Sequence, residues 1–309
     1  MVNFTKQFNN HFSPISSISV VREILKNNNL NPKYSLGQNF LINDDVIGKI
    51  LKTSEVNSND VVLEVGPGMG VLTCALLSSG AKVIAIEKDP DMVSILKANI
   101  ENYCKCFANN LEVLNIDSMN LNIEHLKIMP NKFISNLPYN IAATLILKYF
   151  KTIKSLNSAV CMVQSDVADR IMSSPNSKNY GAYTVKLSLY SKPLCRFDVS
   201  PGSFYPQPRV VSSVIRLDRI KKSGDTELLD LISLIVDGVF FTRRKTIQNS
   251  MKNFYKQAEV NKSNYILKYK YEDIIHAFKN CGIDVTLRGE TLKKYDFISI
   301  AKCLAKSCS

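Results

Sequence analysis

The sequence predicts an α/β fold in which an open, mostly parallel sheet is followed by a smaller helical region. Short apolar runs typical of buried strands, such as 61–65 and 82–86, alternate with stretches of helical period. A glycine-rich turn over 66–70 joins the first run to a helix, as in nucleotide-binding sheets. Beyond residue 225 the apolar residues recur with a helical period. These observations predict two domains, the larger of them α/β.

Composition limits the classes of function that the chain can have. Its 309 residues include 39 Lys and Arg against 27 Asp and Glu, a formal net charge of +12. Such an excess favours a polyanionic partner, either nucleic acid or an anionic membrane surface. No apolar run reaches the length of about 18 residues that a spanning helix needs, and the first residues lack a secretory signal. The sequence therefore predicts a cytoplasmic protein without a membrane-spanning segment, and of the two polyanionic partners we expect nucleic acid and not a membrane.

The cysteines and histidines do not form a metal-binding pattern. The eight cysteines include no Cys-x-x-Cys pair, and none of the three histidines lies at ligand spacing from them. Several cysteines lie in apolar runs, which is typical of small buried residues. We therefore expect reduced cysteines and no metal ion.

The N-terminal part is predicted to prepare the ligand-binding edge of the sheet. Residues 1–18 show no periodic pattern and are expected to form a loose lead-in, after which a short amphipathic helix begins at Ser19. The segment 36–41 is rich in Gly and amide side chains and predicts a loop, and Asn43 is a typical N-cap for the helix that follows. This loop is expected to fold over a ligand at the strand ends.

Four residues follow four successive predicted strands, at the edge where open α/β sheets bind ligands: Gly66, Glu87, Asp117 and Asn136. Glu87 is placed to accept hydrogen bonds from both hydroxyls of a ribose, and Asp117 is placed to accept one from the amino group of an adenine. Such a set at strand ends predicts a nucleotide-type cofactor.

The glycine spacing favours one cofactor over another. The turn reads Gly-x-Gly-x-Gly with Glu64 two residues before it, whereas the dinucleotide fingerprint requires Gly at position 71, where Val71 stands. The pattern therefore favours S-adenosylmethionine over NAD. An NAD oxidoreductase is further disfavoured because no paired catalytic His or Lys is evident.

The stretch Asn136-Leu137-Pro138-Tyr139 contains the groups needed to hold an amino-bearing base. The Asn136 side-chain oxygen and the Leu137 carbonyl can each accept one N–H, and Tyr139 can stack on the ring. Pro138 fixes the local backbone and contributes no N–H. The alternative is an ordinary strand-to-helix turn. We interpret this stretch as the catalytic motif.

The second half adds a stiff loop and a cationic cluster. The Pro-rich loop 201–209 presents Phe204, either as a second stacking face beside Tyr139 or as a core residue, and ends in Arg209. The polar stretch 221–225 predicts a domain boundary. In the helical region beyond it, Arg243, Arg244 and Lys245 join two predicted helices, and with Arg209 they are predicted to contact RNA, although such clusters are often solvated faces.

Five motifs together resemble one enzyme family: Leu36-Gly37-Gln38-Asn39-Phe40-Leu41, Glu64-Val65-Gly66-Pro67-Gly68-Met69-Gly70, Asn136-Leu137-Pro138-Tyr139-Asn140, Ser203-Phe204 with Pro206, Pro208 and Arg209, and Phe241-Thr242-Arg243-Arg244-Lys245-Thr246. They resemble the bacterial small-subunit ribosomal RNA adenine dimethyltransferases, the kasugamycin-resistance methyltransferases, over roughly residues 33–300 in colinear order. The resemblance implies a seven-stranded, Rossmann-like methyltransferase domain over 33–222. It also implies a small helical RNA-binding domain over 223–309, after an N-terminal extension of 1–32.

The resemblance also implies the roles of individual residues. S-adenosylmethionine is expected to bind to Asn39, Leu41, Gly66, Glu87, Asp117 and Asn136. The acceptor adenine is expected at 136–139 with Phe204. The implied product is N6,N6-dimethyladenosine at two adjacent adenines of a hairpin loop near the 3′ end of 16S ribosomal RNA, made by a monomer acting on the 30S subunit or its precursor. One departure is that the hydroxyl usual soon after the catalytic motif comes later here, at Thr144.

Two alternatives stay open beside this reading. A 23S ribosomal RNA adenine methyltransferase of the macrolide-resistance type shares the fold, although its motif usually has Ile where this chain has Leu137. A 30S assembly factor that acts mainly by binding would also be compatible with the motifs.

Overall fold

The structure is a computed structural model that describes residues 11–33, 37–221, 225–261 and 269–307. Leu36 of the first motif, Lys222 to Gly224 of the predicted boundary, and the first ten residues lie outside the described residues. The chain divides into two compact units. Unit 1 contains the residues up to Ala168 together with Pro193–Arg219, and unit 2 contains Asp169–Lys192 and the residues from Ile220 onward.

The division differs from the predicted domains. The polar stretch 221–225 lies next to the change of unit at Arg219, but residues 169–192 group with the helical unit instead of the α/β unit. The predicted domain over 33–222 included these residues, because a short apolar pattern does not show which of two hydrophobic cores will bury it.

Unit 1 contains the sheet that the sequence predicted. Its strands are β1 (Phe40–Leu41), β2 (Val61–Val65), β3 (Lys82–Ile86), β4 (Leu111–Leu114), β5 (Lys132–Asn136), β6 (Ser158–Gln164), β7 (Ser191–Val199), β8 (Phe204–Tyr205) and β9 (Ser212–Arg219). Seven of them form a sheet in the order β4-β3-β2-β5-β6-β9-β7, in which β2 to β6 pair in parallel and β9 pairs antiparallel with β6. The remaining two, β1 and β8, form a separate antiparallel pair.

Helices cover both faces of this sheet. They are α1 (Ile18–Asn27), α2 (Asp44–Ser54), α3 (Val71–Ser78), α4 (Pro90–Tyr103) and α5 (Ala142–Thr152), with α6 (Ser165–Ile171) at the change of unit. Val62 and Val83 belong to the core under α1 to α4. Successive strand residues alternate between the two faces, so the neighbours of these valines face the opposite side of the sheet. On that side the rings of Phe133 and Tyr149 meet edge to face, with their centroids 5.2 Å apart.

The described N-terminal residues are part of this core, which corrects the expectation of a loose lead-in. Ile15 is fully buried, and the Asp44 carboxylate at the start of α2 accepts bonds from the backbone N–H groups of Phe12 (2.9 Å) and Ser13 (3.1 Å). Helix α1 is capped by Ser17, as expected for a segment of helical period. A polar stretch without period gives no sign of such long-range bonds.

Unit 2 is helical. It contains α7 (Ala182–Ser188), which the sequence did not predict, and α8 (Thr226–Phe240), α9 (Ile247–Val260), α10 (Tyr271–Asn280) and α11 (Lys294–Ser307). Helix α8 packs against α7, α9 and α11. Phe278 and Phe297 are fully buried in its core. Among the residues that the structure describes, no helix is both long and apolar enough to span a lipid bilayer.

Candidate active site

The cleft is built on the glycine turn between β2 and α3. Gly66 and Gly68 have positive φ values of 66° and 56°, and a Cβ on Gly68 would lie 3.1 Å from the ring of Phe40. The turn therefore requires glycine both for its backbone and for the approach of β1. It lines a cleft together with 37–41, Glu87 and 136–139.

Glu87 lies at the end of β3 with its carboxylate held by the turn. Its oxygens accept from the backbone N–H groups of Gly68 (3.2 Å) and Asp89 (2.9 Å), and the residue is 8% exposed. Burial raises its pKa, and the N–H donors oppose the rise. The carboxylate is fixed in direction and keeps lone pairs for a ligand hydroxyl.

A small polar network anchors the segment that covers the cleft. The Gln38 side chain donates to Asp89 (2.9 Å) and accepts from the backbone N–H of Lys33 (2.8 Å). The Lys33 ammonium pairs with Asp89 (2.9 Å) and Asp91 (2.8 Å). The same Asp89 caps α4 and is buried. Gln38, Lys33 and Asp89, which we call the loop anchor, were not predicted as functional residues.

The catalytic motif ends β5 with two acceptor oxygens available. The Asn136 amide donates from Nδ2 to the Asn39 carbonyl at 3.3 Å, and the Leu137 N–H donates to Met162 at 3.1 Å. Within the described part of the chain, neither Asn136 Oδ1 nor the Leu137 carbonyl has a hydrogen-bond donor. The motif thus presents the two acceptors that its chemistry requires.

Tyr139 is fixed at the wall of this cleft. Its hydroxyl forms a 2.6 Å hydrogen bond with Ser212 Oγ of β9, and burial raises its pKa. Helix α5, which follows, has Ile141 as its N-cap residue and no side-chain cap, and the nearest following hydroxyl is that of Thr144. The departure noted in the sequence therefore changes the helix start and leaves the motif intact.

Asp117 lines an adjoining cavity that shares Gly66, Glu87 and Pro138 with the cleft. Its carboxylate accepts from Lys88 Nζ (2.9 Å) and from the backbone N–H of Met119 (2.9 Å), and the bond to Lys88 lowers its pKa. Each oxygen keeps a lone pair for another donor. All six predicted cofactor residues thus lie around two connected cavities, five around the first and Asp117 at the second.

Phe204 lies in the hydrophobic core and not at the surface of the cleft. It lies in β8 opposite Leu41, is 3% exposed and belongs to the hydrophobic core of unit 1. The structure gives its ring the core position that the sequence left as an alternative, instead of a stacking face beside Tyr139. A Pro-rich aromatic loop does not reveal which of its rings faces inward.

Glu64 is a cleft residue whose role the sequence did not predict. It is 2% exposed and accepts a 2.7 Å bond from the Thr73 hydroxyl of α3. Burial raises its pKa to about 8, the charge of Glu87 adds to the rise, and the Thr73 bond opposes it. Near neutral pH Glu64 is therefore mostly protonated, a carboxyl group that can gain or lose a proton at the cleft wall.

Comparison with known proteins agrees with this geometry. The profile of the ribosomal RNA adenine dimethylase family matches residues 19–279. The ribosomal RNA small subunit methyltransferase A of Mycolicibacterium gilvum is 34% identical over 91% of this chain and 86% of its own. That of Clostridium botulinum is 35% identical over 87% and 93%, respectively. The chain belongs to the ribosomal RNA adenine dimethylase family.

Solved structures agree with this family. A dimethyladenosine transferase from Plasmodium falciparum is 27% identical with a TM-score of 0.69, covering 87% of this chain and 98% of its own. The 23S rRNA methyltransferase ErmE is similar in fold at 22% identity and a TM-score of 0.61, covering 86% and 100%. Membership confirms the resemblance read from the motifs, the Rossmann-like fold class and the prediction of a ribosomal RNA methyltransferase that depends on S-adenosylmethionine.

The cleft fits the cofactor of this family. A buried carboxylate at the end of β3 suits a ribose diol, and the glycine turn leaves the backbone open to close approach. No group of three His, Cys, Asp or Glu residues in the described ranges has the arrangement of a metal site.

The four predicted RNA-contacting cations differ in their surroundings. Arg209 belongs to unit 1 and is exposed. In unit 2, Arg243 donates to the carbonyls of Lys178 and Tyr180, the latter at 3.0 Å, so it holds a loop of its own unit. Arg244 and Lys245 are exposed, and their side chains form no ion pair within the described part of the chain. The two are therefore the stronger candidates for RNA contacts, and Arg243 also has a structural role within unit 2.

Proposed function

We propose that the protein is a 16S ribosomal RNA adenine N6,N6-dimethyltransferase that acts on the 30S subunit or its precursor. Its substrates are two adjacent adenosines in a hairpin loop near the 3′ end of the RNA, as the motif resemblance implies. The relatives named as small-subunit methyltransferases support the choice of RNA. A net charge of +12 suits such a partner.

The single observation that supports this function most is the pair of acceptor oxygens at the end of β5. The exocyclic amine of adenine is a weak nucleophile, because its lone pair is conjugated into the ring. If Asn136 Oδ1 and the Leu137 carbonyl each accept one N–H, the amine is held out of conjugation and its lone pair is directed into the cleft. Stacking on Tyr139 would hold the base in plane with these acceptors.

The remaining cleft residues position the two reactants. Bound S-adenosylmethionine supplies an electrophilic methyl group on its sulfonium. Glu87 accepts hydrogen bonds from the ribose hydroxyls of the cofactor, and Asp117 accepts one from its adenine amino group. The remaining wall of the cleft is lined by Gly66, Asn39 and Leu41. The acceptor amine releases one proton to water for each methyl that it gains. Catalysis then rests mainly on positioning and on the fixed acceptor dipoles.

Mass spectrometry of ribosomal RNA tests the proposal. The protein is incubated with S-adenosylmethionine and with 30S or 50S subunits from a strain that lacks the modification, and RNA fragments are weighed. We expect two methyl groups on each of two adjacent 16S adenosines. Methylation of 50S subunits instead would support the 23S alternative, and tight 30S binding without methyl transfer would support an assembly factor.

A further inference from the structure

A polar hollow beside α1 lies on unit 1 and shares no lining residue with the two cavities of the active site. Its volume is about 440 Å³, within the range of ligand-binding sites. Its polar lining consists of Arg22 and Lys26 of α1, the amides Asn29 and Asn31, and Tyr205 of β8, and the apolar residues Leu25, Leu30 and Pro32 complete the wall. The hollow therefore combines two cations with uncharged hydrogen-bonding groups and contains no carboxylate.

The two cations are available to a ligand. Arg22 and Lys26 are four residues apart on one face of α1 and are exposed. Neither forms an ion pair with another residue in the described ranges. The Arg22 guanidinium lies over the Tyr205 ring, 5.0 Å from its centroid, which directs it toward the hollow and restricts its motion. A preorganised guanidinium beside an ammonium suits phosphate oxygens.

The hollow is connected to the active site through the small strand pair. Tyr205 is the register partner of Phe40, and Phe40 lines the cleft that holds the catalytic motif. In an antiparallel pair such partners lie about 5 Å apart. Because directly paired residues have their side chains on the same face, the hollow adjoins the cleft along β1 and β8. An RNA strand that places one base in the cleft can therefore reach the hollow with a neighbouring phosphate.

We propose that this hollow is a phosphate-binding subsite for the RNA substrate, in which Arg22 and Lys26 neutralise the backbone next to the target adenosine. The inference rests on the proposed RNA methyltransferase function and extends it to α1, for which the sequence indicated no role. An RNA phosphate is favoured over a free anion because the hollow lies beside the site where the RNA must bind.

The test measures 30S binding and methylation by a double variant, R22A with K26A, across a range of salt concentrations. Each lost phosphate contact should reduce the slope of log affinity against log salt by about 0.7–0.9, so the double variant should lose about 1.4–1.8 units. KM for 30S subunits should rise several-fold, while kcat and cofactor affinity stay unchanged. The single variant Arg22→Lys, which keeps both positive charges, should retain most of the wild-type slope.

Two controls make the result specific. Lys97→Ala removes an exposed cation of α4 that does not line the hollow, and it should leave the slope unchanged. Binding to phosphatidylglycerol vesicles is measured in parallel. If wild-type protein methylates 30S subunits and the double variant keeps the wild-type slope, or loses only vesicle binding, the subsite assignment is wrong. If wild-type protein methylates no 30S subunits, the proposed function itself fails.

Discussion

At the scale of single residues, the cleft contains two buried acids whose pKa values are both raised and whose hydrogen-bond donors differ. Glu87 is held by backbone N–H groups that stabilise its charge, whereas Glu64 is 2% exposed and, among the described residues, has the Thr73 hydroxyl as its only side-chain donor. Burial raises the pKa of Glu64 to about 8, although the hydrogen bond from Thr73 opposes the rise. The protonated form therefore predominates in the folded protein at a pH where the unfolded chain has released the proton.

We predict that Glu64 makes stability fall with rising pH. The folded pKa of about 8 lies above the ordinary value of 4.5, so this group lowers the free energy of unfolding progressively between those pH values. The slope from this group is up to about 1.4 kcal/mol per pH unit. In Glu64→Gln that slope is absent, and its Tm relative to wild type should rise by about 5 °C from pH 6 to pH 8. A constant Tm difference measured by calorimetry would mean that Glu64 is ionised in the fold.

At the scale of elements, buried strands could be predicted closely and tertiary pairings could not. The strand 61–65 and the helix starting at Val71 agree with the sequence pattern, because apolar runs and a glycine turn are local signals. The two-residue strand β1 was predicted as a loop. Its pairing partner, β8, lies more than 160 residues away, and no local pattern encodes such a contact.

The same limit applies to the loop anchor. Gln38 lies in a motif that the sequence singled out, yet its partner Asp89 could be identified only once α4 was in place. The Arg243 partners Lys178 and Tyr180 lie 65 and 63 residues away in sequence, so the structural contacts of this cation could not be predicted.

Breaking the anchor should loosen the wall of the cofactor cleft. Gln38→Ala removes hydrogen bonds to Asp89 and Lys33, each contributing about 0.5–1.5 kcal/mol. Because Asn39 and Leu41 follow directly, we expect cofactor affinity to fall about 3- to 10-fold and Tm to fall by a few degrees. Calorimetric titration with S-adenosylmethionine measures this, with Gln257→Ala of unit 2 as the control. Equal affinities for wild type and Gln38→Ala would show that the anchor does not position the segment.

At the scale of the whole molecule, the chain joins an α/β unit that contains the reaction cleft to a helical unit with exposed cations. Each unit has its own core, and the positive charge is distributed over both. The glycine turn and the catalytic motif of the α/β unit could be recognised from the sequence. The grouping of residues 169–192 with the helical unit depends on tertiary packing, which a sequence pattern does not show.

The helical unit should contribute to RNA binding through Arg244 and Lys245. Replacing both with Ala is expected to reduce the salt slope of 30S binding by about 1.4–1.8 units without changing cofactor affinity or Tm. Arg243→Ala should instead destabilise the protein by about 1 kcal/mol, because two carbonyls lose their donor. Filter binding and thermal melts separate the two effects. An unchanged slope in the double variant would make the pair a solvated surface.

The central claim is that Asn136 orients the acceptor amine, and methyl transfer by Asn136→Ala tests it most directly. The variant should fold normally, because Asn136 is a half-buried strand-end residue and not part of the core. Loss of one preorganised polar contact should raise the barrier by about 2.7–4 kcal/mol, or reduce kcat roughly 10²–10³-fold. The assay uses 30S subunits lacking the modification, with thermal melts in parallel. Near-wild-type turnover by a well-folded Asn136→Ala would contradict the account and leave the motif as an ordinary turn.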